Sequence, residues 1–95
     1  MNWKDHVSNI QCFGYTWMKP KGNSMSPRIK SGERICIVQQ LRYEVDDVVF
    51  CKVKGRYMVH LIAAYNPKRG YQITNLKGHV NGWSKTIYGK AFKPV

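Results

Sequence analysis

Two β-favouring runs on either side of Gly55-Arg56 constrain the fold of this 95-residue chain more than any other feature. Val48–Lys54 and Tyr57–Tyr65 are both rich in β-branched and aromatic side chains, which favour strands. A glycine in a two-residue connection between such runs favours a tight hairpin. Asn66–Gly70 contains Asn, Pro and Gly and predicts a second turn, after which the chain returns again. The region therefore predicts an antiparallel meander.

Further short runs extend the meander into a larger sheet, with Gly89 expected at a bulge or a close approach between strands. The additional strands are predicted at Tyr15–Lys19, Ile35–Val38, Tyr71–Thr74 and Thr86–Phe92. Asn75–Lys85 is rich in Gly and Asn, and it is predicted to be a loop. The fold class is therefore mostly β: six or seven short strands in a coiled, partly closed antiparallel sheet, with little helix.

Residues 1–95 are predicted to form a single small domain, with residues 1–14 as a weakly patterned N-terminal cap. Trp3, Val7 and Ile10 follow the spacing of one face of a short helix, and the alternative is an irregular cap on the sheet. No apolar run approaches the length of a membrane span, and the first twelve residues are too polar for a signal peptide.

The charge and the cysteine content limit which partners the protein can bind and in which cellular compartment it can function. Sixteen Lys and Arg against five Asp and Glu leave a formal charge of +11, which predicts affinity for an acidic protein, a nucleic acid or an anionic surface. The alternative is a solvated basic surface that keeps the protein in solution. Cys12, Cys36 and Cys51 form no Cys-x-x-Cys pair, which favours a reducing, cytoplasmic setting and predicts no metal site. Cys36 and Cys51 lie in apolar runs and are expected to be buried.

A stiff turn around Ser24 is the candidate catalytic feature. Gly22 lacks a Cβ and allows a sharp bend, while Pro27 fixes its own φ and disfavours helical angles at Ser26. A serine held on such a turn, beside unpaired backbone N–H groups, suits acyl transfer. The same residue types also form ordinary surface loops. The order of the residues and the downstream motifs must therefore distinguish a catalytic turn from such a loop.

That order resembles the nucleophile motif of the Ser-Lys/Ser-His peptidases, the group of LexA-type repressors and signal peptidases (S24/S26-like). The motif is Gly-x-Ser-Met-x-Pro, an aliphatic residue, then Gly-Asp or Gly-Glu, and it is matched by Gly22, Ser24, Met25, Pro27, Ile29, Gly32 and Glu33. Asp46–Phe50 resembles the family's Gly-Asp-Val-Val strand, and Met58–Ile62 resembles the strand that carries its catalytic base. The resemblance implies a LexA/signal peptidase-like β fold.

The resemblance implies that Ser24 is the nucleophile and that His60 is the base. A neutral imidazole can accept the serine proton near pH 7 without special tuning, because its ordinary pKa is about 6.5. The alternative is a half-buried sheet histidine that only packs and forms hydrogen bonds. Backbone N–H groups near Asn23 and Ser24 would form the oxyanion hole, and Met25 would be a structural plug or a wall of the substrate groove.

The group that orients His60 is less evident. The family's Ser-His branch has an acidic residue in a later Gly-Asp segment, whereas Gly78–Trp83 contains no carboxylate. Asn81 can orient the ring through its amide oxygen, and Asp46 or Asp47 can serve instead. The alternative for Asn81 is a plain Gly/Asn turn.

These residues and the resemblance together predict a serine endopeptidase that needs neither metal nor cofactor and cleaves a protein segment bound as an extended strand. A catalytically impaired binding module is the alternative, of the regulatory type that phages and mobile elements encode, with an acidic protein or nucleic acid as its target. A third hypothesis is a single-strand nucleic-acid binder. Its stacking platforms would be Tyr15, Trp17, Tyr57, Tyr65, Tyr71 and Trp83.

Overall fold

The computed structural model describes residues 2–22 and 25–93. Within them, one helix precedes seven strands: α1 (Trp3–Phe13), β1 (Tyr15–Met18), β2 (Ile35–Val38), β3 (Val48–Val53), β4 (Arg56–Asn66), β5 (Gly70–Thr74), β6 (Val80–Ser84) and β7 (Thr86–Phe92). With 47% strand and 12% helix in one antiparallel sheet, the predicted mostly-β single domain is confirmed, and the sheet does not close.

The strands of the sheet lie in the order β1-β2-β7-β3-β4-β5-β6, and each neighbouring pair is antiparallel. The predicted central hairpin is present, with Val53 paired to Arg56 across the turn. The predicted irregularity at Gly89 is also confirmed. Gly89 pairs with Phe50 while Ile87 pairs with Cys51, so one extra residue of β7 lies between them. A Cβ at Gly89 would lie 2.6 Å from Ile37 Cγ2, which only glycine avoids.

The sheet bends so that its last strand lies against its middle. The Ser84 hydroxyl on β6 donates a hydrogen bond to the Lys52 carbonyl oxygen on β3 at 2.6 Å. A Cβ at Gly82 would lie 3.1 Å from Val53 Cγ1, so the two strands are in close contact. This bend separates two apolar clusters. One contains Ile10, Met18, Met25, Ile29, Ile35, Ile37, Val48, Phe50 and Val59; the other contains Val49, Cys51, Val53, Ile62 and Ile73.

The N-terminal segment forms a helix rather than an irregular cap. The Asn2 side chain accepts a hydrogen bond from the Asp5 N–H at 2.9 Å, and the Asp5 carboxylate accepts from the Asn2 N–H, which together form a capping box. Gly14 ends the helix at a φ of 82°, a left-handed angle that glycine adopts without strain. Ile10 packs into the core. Across the described residues, no helix combines the length and apolar character that crossing a membrane requires.

The prediction that Asn75–Lys85 is a loop was wrong, because Val80–Ser84 forms the edge strand β6. Asn75 makes the turn tight: its side-chain oxygen accepts hydrogen bonds from the N–H groups of Lys77 and His79. The returning segment then pairs with β5, despite glycine's poor strand preference. Gly82 lies at the register shift with a φ of 141°, so its presence permits the strand instead of ending it.

Candidate functional site

His60 lies on β4, half-buried, on the wall of a cavity of about 200 Å³. Cross-strand pairing with Val49 of β3 holds the backbone of His60 in the middle of the sheet. Another part of the cavity wall comes from the segment after β1, including Gly22 and Met25. The full lining is Trp3, Pro20, Lys21, Gly22, Met25, Ile29, Tyr57, Met58, Val59 and His60. The cavity therefore brings together a titratable ring and the described neighbours of the predicted nucleophile.

Asn81 contacts the imidazole directly, with its Oδ1 2.7 Å from His60 Nδ1. An amide oxygen can only accept a hydrogen bond, so Nδ1 carries the proton and donates it. In the neutral ring, Nε2 then carries the lone pair that a general base uses. The sequence left Asn81 as one of several alternatives, and it is this side chain that contacts His60.

Burial lowers the pKa of His60 below its ordinary value, and the nearby His79 lowers it further, while the hydrogen bond to Asn81 acts in the opposite direction. The net shift favours the neutral ring. A base must be unprotonated to accept a proton, so at pH 7 this histidine is in the state that general-base catalysis requires.

Asp47 does not supply a carboxylate to His60 and is engaged elsewhere. Its carboxylate lies 3.2 Å from Lys90 Nζ and accepts a hydrogen bond from the Glu44 N–H at 3.0 Å. Asp46 adopts a left-handed φ of 77°, and its N–H donates to the Ile62 carbonyl oxygen at 2.8 Å. The short segment before β3 thus closes against β4, and this arrangement helps to hold the strand that carries the histidine.

Ser24 and Asn23, the predicted nucleophile and oxyanion residue, lie outside the described residues. On one side of them, Gly22 has a φ of 110°, which agrees with the bend predicted there. On the other side, Met25 is 4% exposed, packs in the core and accepts a hydrogen bond from the Ile29 N–H at 2.9 Å. Met25 also lines the cavity that contains His60.

Two aromatic residues of the cavity were not predicted as residues of the peptidase site. Trp3 stacks on Phe50 and on Tyr57, with ring centroids 5.5 and 6.2 Å apart respectively, and both Trp3 and Tyr57 line the cavity. The helical spacing of Trp3 with Val7 and Ile10 indicated an inward-facing residue. Nothing in the sequence indicates that α1 packs beside the histidine, because that contact joins distant parts of the chain.

Other nucleophiles and metal ligands do not converge in the described part of the chain. Burial raises the pKa of the Cys51 thiol to about 12, so this cysteine stays protonated, in agreement with the buried position predicted for it. Cys36 is half-buried and Cys12 is exposed. Residues 2–22 and 25–93 contain no group of three or more His, Cys, Asp or Glu placed to hold a metal ion.

The fold and the site together define a small, single-domain β protein in which an imidazole lies on the wall of a partly aromatic cavity and contacts an asparagine amide. The sequence matches no model of a known protein family, and no curated protein matches it. The functional conclusion consequently depends on the residues themselves.

Proposed function

We propose that the protein is a serine endopeptidase of the LexA-type repressor and signal peptidase group, with Ser24 as nucleophile and His60 as general base. The observation that carries the proposal is the 2.7 Å contact between Asn81 Oδ1 and Nδ1 of His60, a residue of the cavity wall, since this contact selects the tautomer of a base. Gly22 and Met25 line the same cavity, and Ser24 is bonded directly to Met25. The chain connectivity therefore supports a nucleophile close to that base.

The proposed reaction is a two-step acyl transfer. Ser24 Oγ attacks the carbonyl carbon of the substrate peptide bond while its proton moves to His60 Nε2. The C–N bond then breaks, and the imidazolium returns the proton to the departing amine. Water attacks the acyl-enzyme with His60 again as base, which releases the carboxylic acid and restores Ser24.

We propose an extended protein segment as the substrate. The cavity beside His60 has apolar and aromatic walls, including Met25, Ile29 and Val59, so an apolar substrate side chain fits its chemistry. In the described sheet, β1 and β6 each pair with a strand on one side, and β6 carries Asn81. Addition of a substrate strand at such an edge supplies main-chain hydrogen bonds.

The amide at position 81 also favours a second candidate, a binding module that keeps this fold without catalysis. A neutral amide orients the ring but does not neutralise the imidazolium that forms during attack. A carboxylate would do both, so the dyad as built is a weaker base system than a full triad. The two candidates differ in one measurable property, the reactivity of Ser24.

The direct test is covalent labelling with a fluorophosphonate, which needs no knowledge of the substrate. Attack by an activated serine expels fluoride and leaves a stable phosphonyl ester on the oxygen. Trypsin cleavage after Lys21 and Arg28 then releases a peptide that contains Ser24 and Ser26, and fragmentation assigns the label to one of them. We expect the label on Ser24. Labelling no stronger than that of heat-denatured protein would exclude the peptidase and leave the binding module.

Replacing Asn81 with aspartate should change the pH profile of labelling. In the native protein burial holds the pKa of His60 below about 6.5, so the rate should fall only as the pH drops below that value. A carboxylate against the ring stabilises the imidazolium and should raise its pKa by about 1–3 units. The inflection of the labelling rate should therefore move to higher pH. Above pH 9 the variant should label faster than the native protein, because the carboxylate stabilises the positive charge that develops on His60.

The matched control is Asn66→Asp, which makes the same change at the last residue of β4, beside the turn to β5. Asn66 Oδ1 accepts hydrogen bonds only from backbone N–H groups, those of Lys68 and Arg69, among the contacts resolved there. This variant should keep the native inflection. An Asn81→Asp profile that coincides with the native one would show that residue 81 does not act on the base.

A further inference from the structure

Exposed aromatic side chains form a row on the outer face of strands β1, β2 and β7. Tyr15 and Trp17 on β1 are 49% and 39% exposed, and Phe92 on β7 is 40% exposed. The register places Trp17 opposite Cys36, and Cys36 opposite Phe92, so these side chains share one face across three strands. Burying such rings is normally favourable, and their joint exposure therefore indicates a surface that binds something.

Cations lie directly over two of these rings. The Arg34 guanidinium carbon is 4.1 Å from the centroid of the Trp17 ring, and Lys90 Nζ is 5.2 Å from the Phe92 centroid. A groove beside Trp17 contains Arg34 together with Lys19 and Lys21. Flat aromatic faces and positive charges therefore alternate over a short distance on this surface.

Positive charge on this surface is poorly neutralised by the protein itself. The groove-lining residues that the structure describes include no aspartate or glutamate. Residues 2–22 and 25–93 form two ion pairs, Lys90 with Asp47 and Lys93 with Glu33, against 16 Lys and Arg in the chain. An anionic partner that follows the groove would supply the missing charge.

We propose that this surface, formed by Tyr15, Trp17, Phe92, Lys19, Lys21 and Arg34, binds a single-stranded nucleic acid. Unpaired bases stack on aromatic rings irrespective of sequence, and the phosphates that join them interact with lysine and arginine. A duplex conceals the faces of its bases, and an acidic peptide uses the cations but not the ring faces. The combination of exposed rings and cations thus favours a single strand over either.

Among the residues of the proposed surface, Lys21 also lines the cavity that contains His60, and the aromatic rings lie outside that cavity. Tyr15, Trp17, Arg34 and Phe92 are not among the residues that line that cavity. Binding of a nucleic acid therefore does not depend on the proposed peptidase activity, and either can fail without the other.

The test is fluorescence anisotropy of a labelled 15-nucleotide oligo(dT) titrated with the full-length chain at several salt concentrations. Trp17→Ala should weaken binding about tenfold through loss of one stacking platform, while leaving the salt dependence unchanged. Lys19→Ala should reduce the slope of log K against log salt by about 0.7, the value for one phosphate contact in a single strand. Trp17→Phe keeps a ring and should bind nearly as tightly as the native protein.

Matched controls lie on other parts of the sheet. Tyr65 on β4 is 57% exposed, and Lys68 is exposed in the turn that follows, so Tyr65→Ala and Lys68→Ala should leave affinity and salt slope unchanged. Any of three results would overturn the proposal. The first is that Trp17→Ala and Tyr65→Ala weaken binding equally, and the second is that duplex DNA binds as tightly as the single strand. The third is that a poly-glutamate peptide with the same total charge as the oligonucleotide displaces it.

Discussion

Replacing His60 with glutamine is expected to slow phosphonate labelling of Ser24 by about 10²–10⁴-fold, the usual contribution of a positioned general base. Glutamine has a similar size and can still form hydrogen bonds, but it cannot accept a proton from serine near neutral pH. Ser24→Ala should abolish labelling altogether, because it removes the oxygen that forms the bond. Both rates are measured by in-gel fluorescence against time.

Two matched variants separate chemistry from folding. His79→Gln makes the same substitution at an exposed histidine in the turn before β6, and Ser26→Ala removes a second serine from the same tryptic peptide. Both should label at close to the native rate above about pH 8, where His60 is neutral with or without the effect of His79 on its pKa. Thermal unfolding of His60→Gln should stay near that of the native protein. A His60→Gln protein that remains folded and labels at the native rate would exclude His60 as the base.

Replacing Gly70 with alanine should destabilise the whole domain by about 2–5 kcal/mol, which combines left-handed backbone strain with overpacking. Gly70 has a φ of 90°, and a Cβ there would lie 2.4 Å from the Ser84 carbonyl oxygen and 2.9 Å from Lys85 Cγ. The lysine side chain can move, but the backbone carbonyl cannot move without displacing the end of β6. We expect the melting temperature to fall by about 10–30 °C.

Gly55→Ala is the control for this effect, because Gly55 has a similar φ of 80° and a Cβ there would meet nothing within 4 Å. It should cost only the backbone strain, about 1–2 kcal/mol. The difference between the two variants isolates the steric clash at β6. Equal melting temperatures would show that β6 is not held against Gly70 as described.

The Gly70 variant also tests how the site depends on the fold. Ser84 and Asn81 lie on the same short strand, so a displaced β6 would move the amide that contacts His60. We therefore expect Gly70→Ala to reduce labelling of Ser24 even at temperatures where the protein remains folded. Through Asn81, the position of the edge strand β6 therefore affects the orientation and protonation of His60.

Much of the fold could be predicted because its signals are local. The hairpin across Gly55-Arg56 follows from two β-rich runs and a turn residue, and the structure has it. Gly89 was recognisable as a position of close approach between strands. Glycine weakens a strand, so a lone glycine inside one is expected where a larger side chain would not fit. The peptidase resemblance and the role of Ser24 stay predictions, since neither follows from local pairing or packing.

Strand β6 shows where local reasoning fails. Val80–Ser84 contains asparagine and glycine and has little strand preference of its own, yet it pairs with β5 on both sides of a register shift at Asn81. Its pairing depends on the Asn75 turn and on contact with β3, which the neighbouring residues do not encode. The choice of Asn81 over Asp47 has the same origin, because Asp47 is engaged by Lys90 from another strand.

The sequence by itself determined the strands with strong β preference, the turns between them and the excess of positive charge. These depend on the chemistry of residues a few positions apart. Only the tertiary structure decided that Asn81 contacts His60, 21 residues earlier in the chain, and that Trp3 and Met25 line the same cavity. Such contacts depend on how distant segments share hydrogen bonds and space, which no short stretch of sequence specifies.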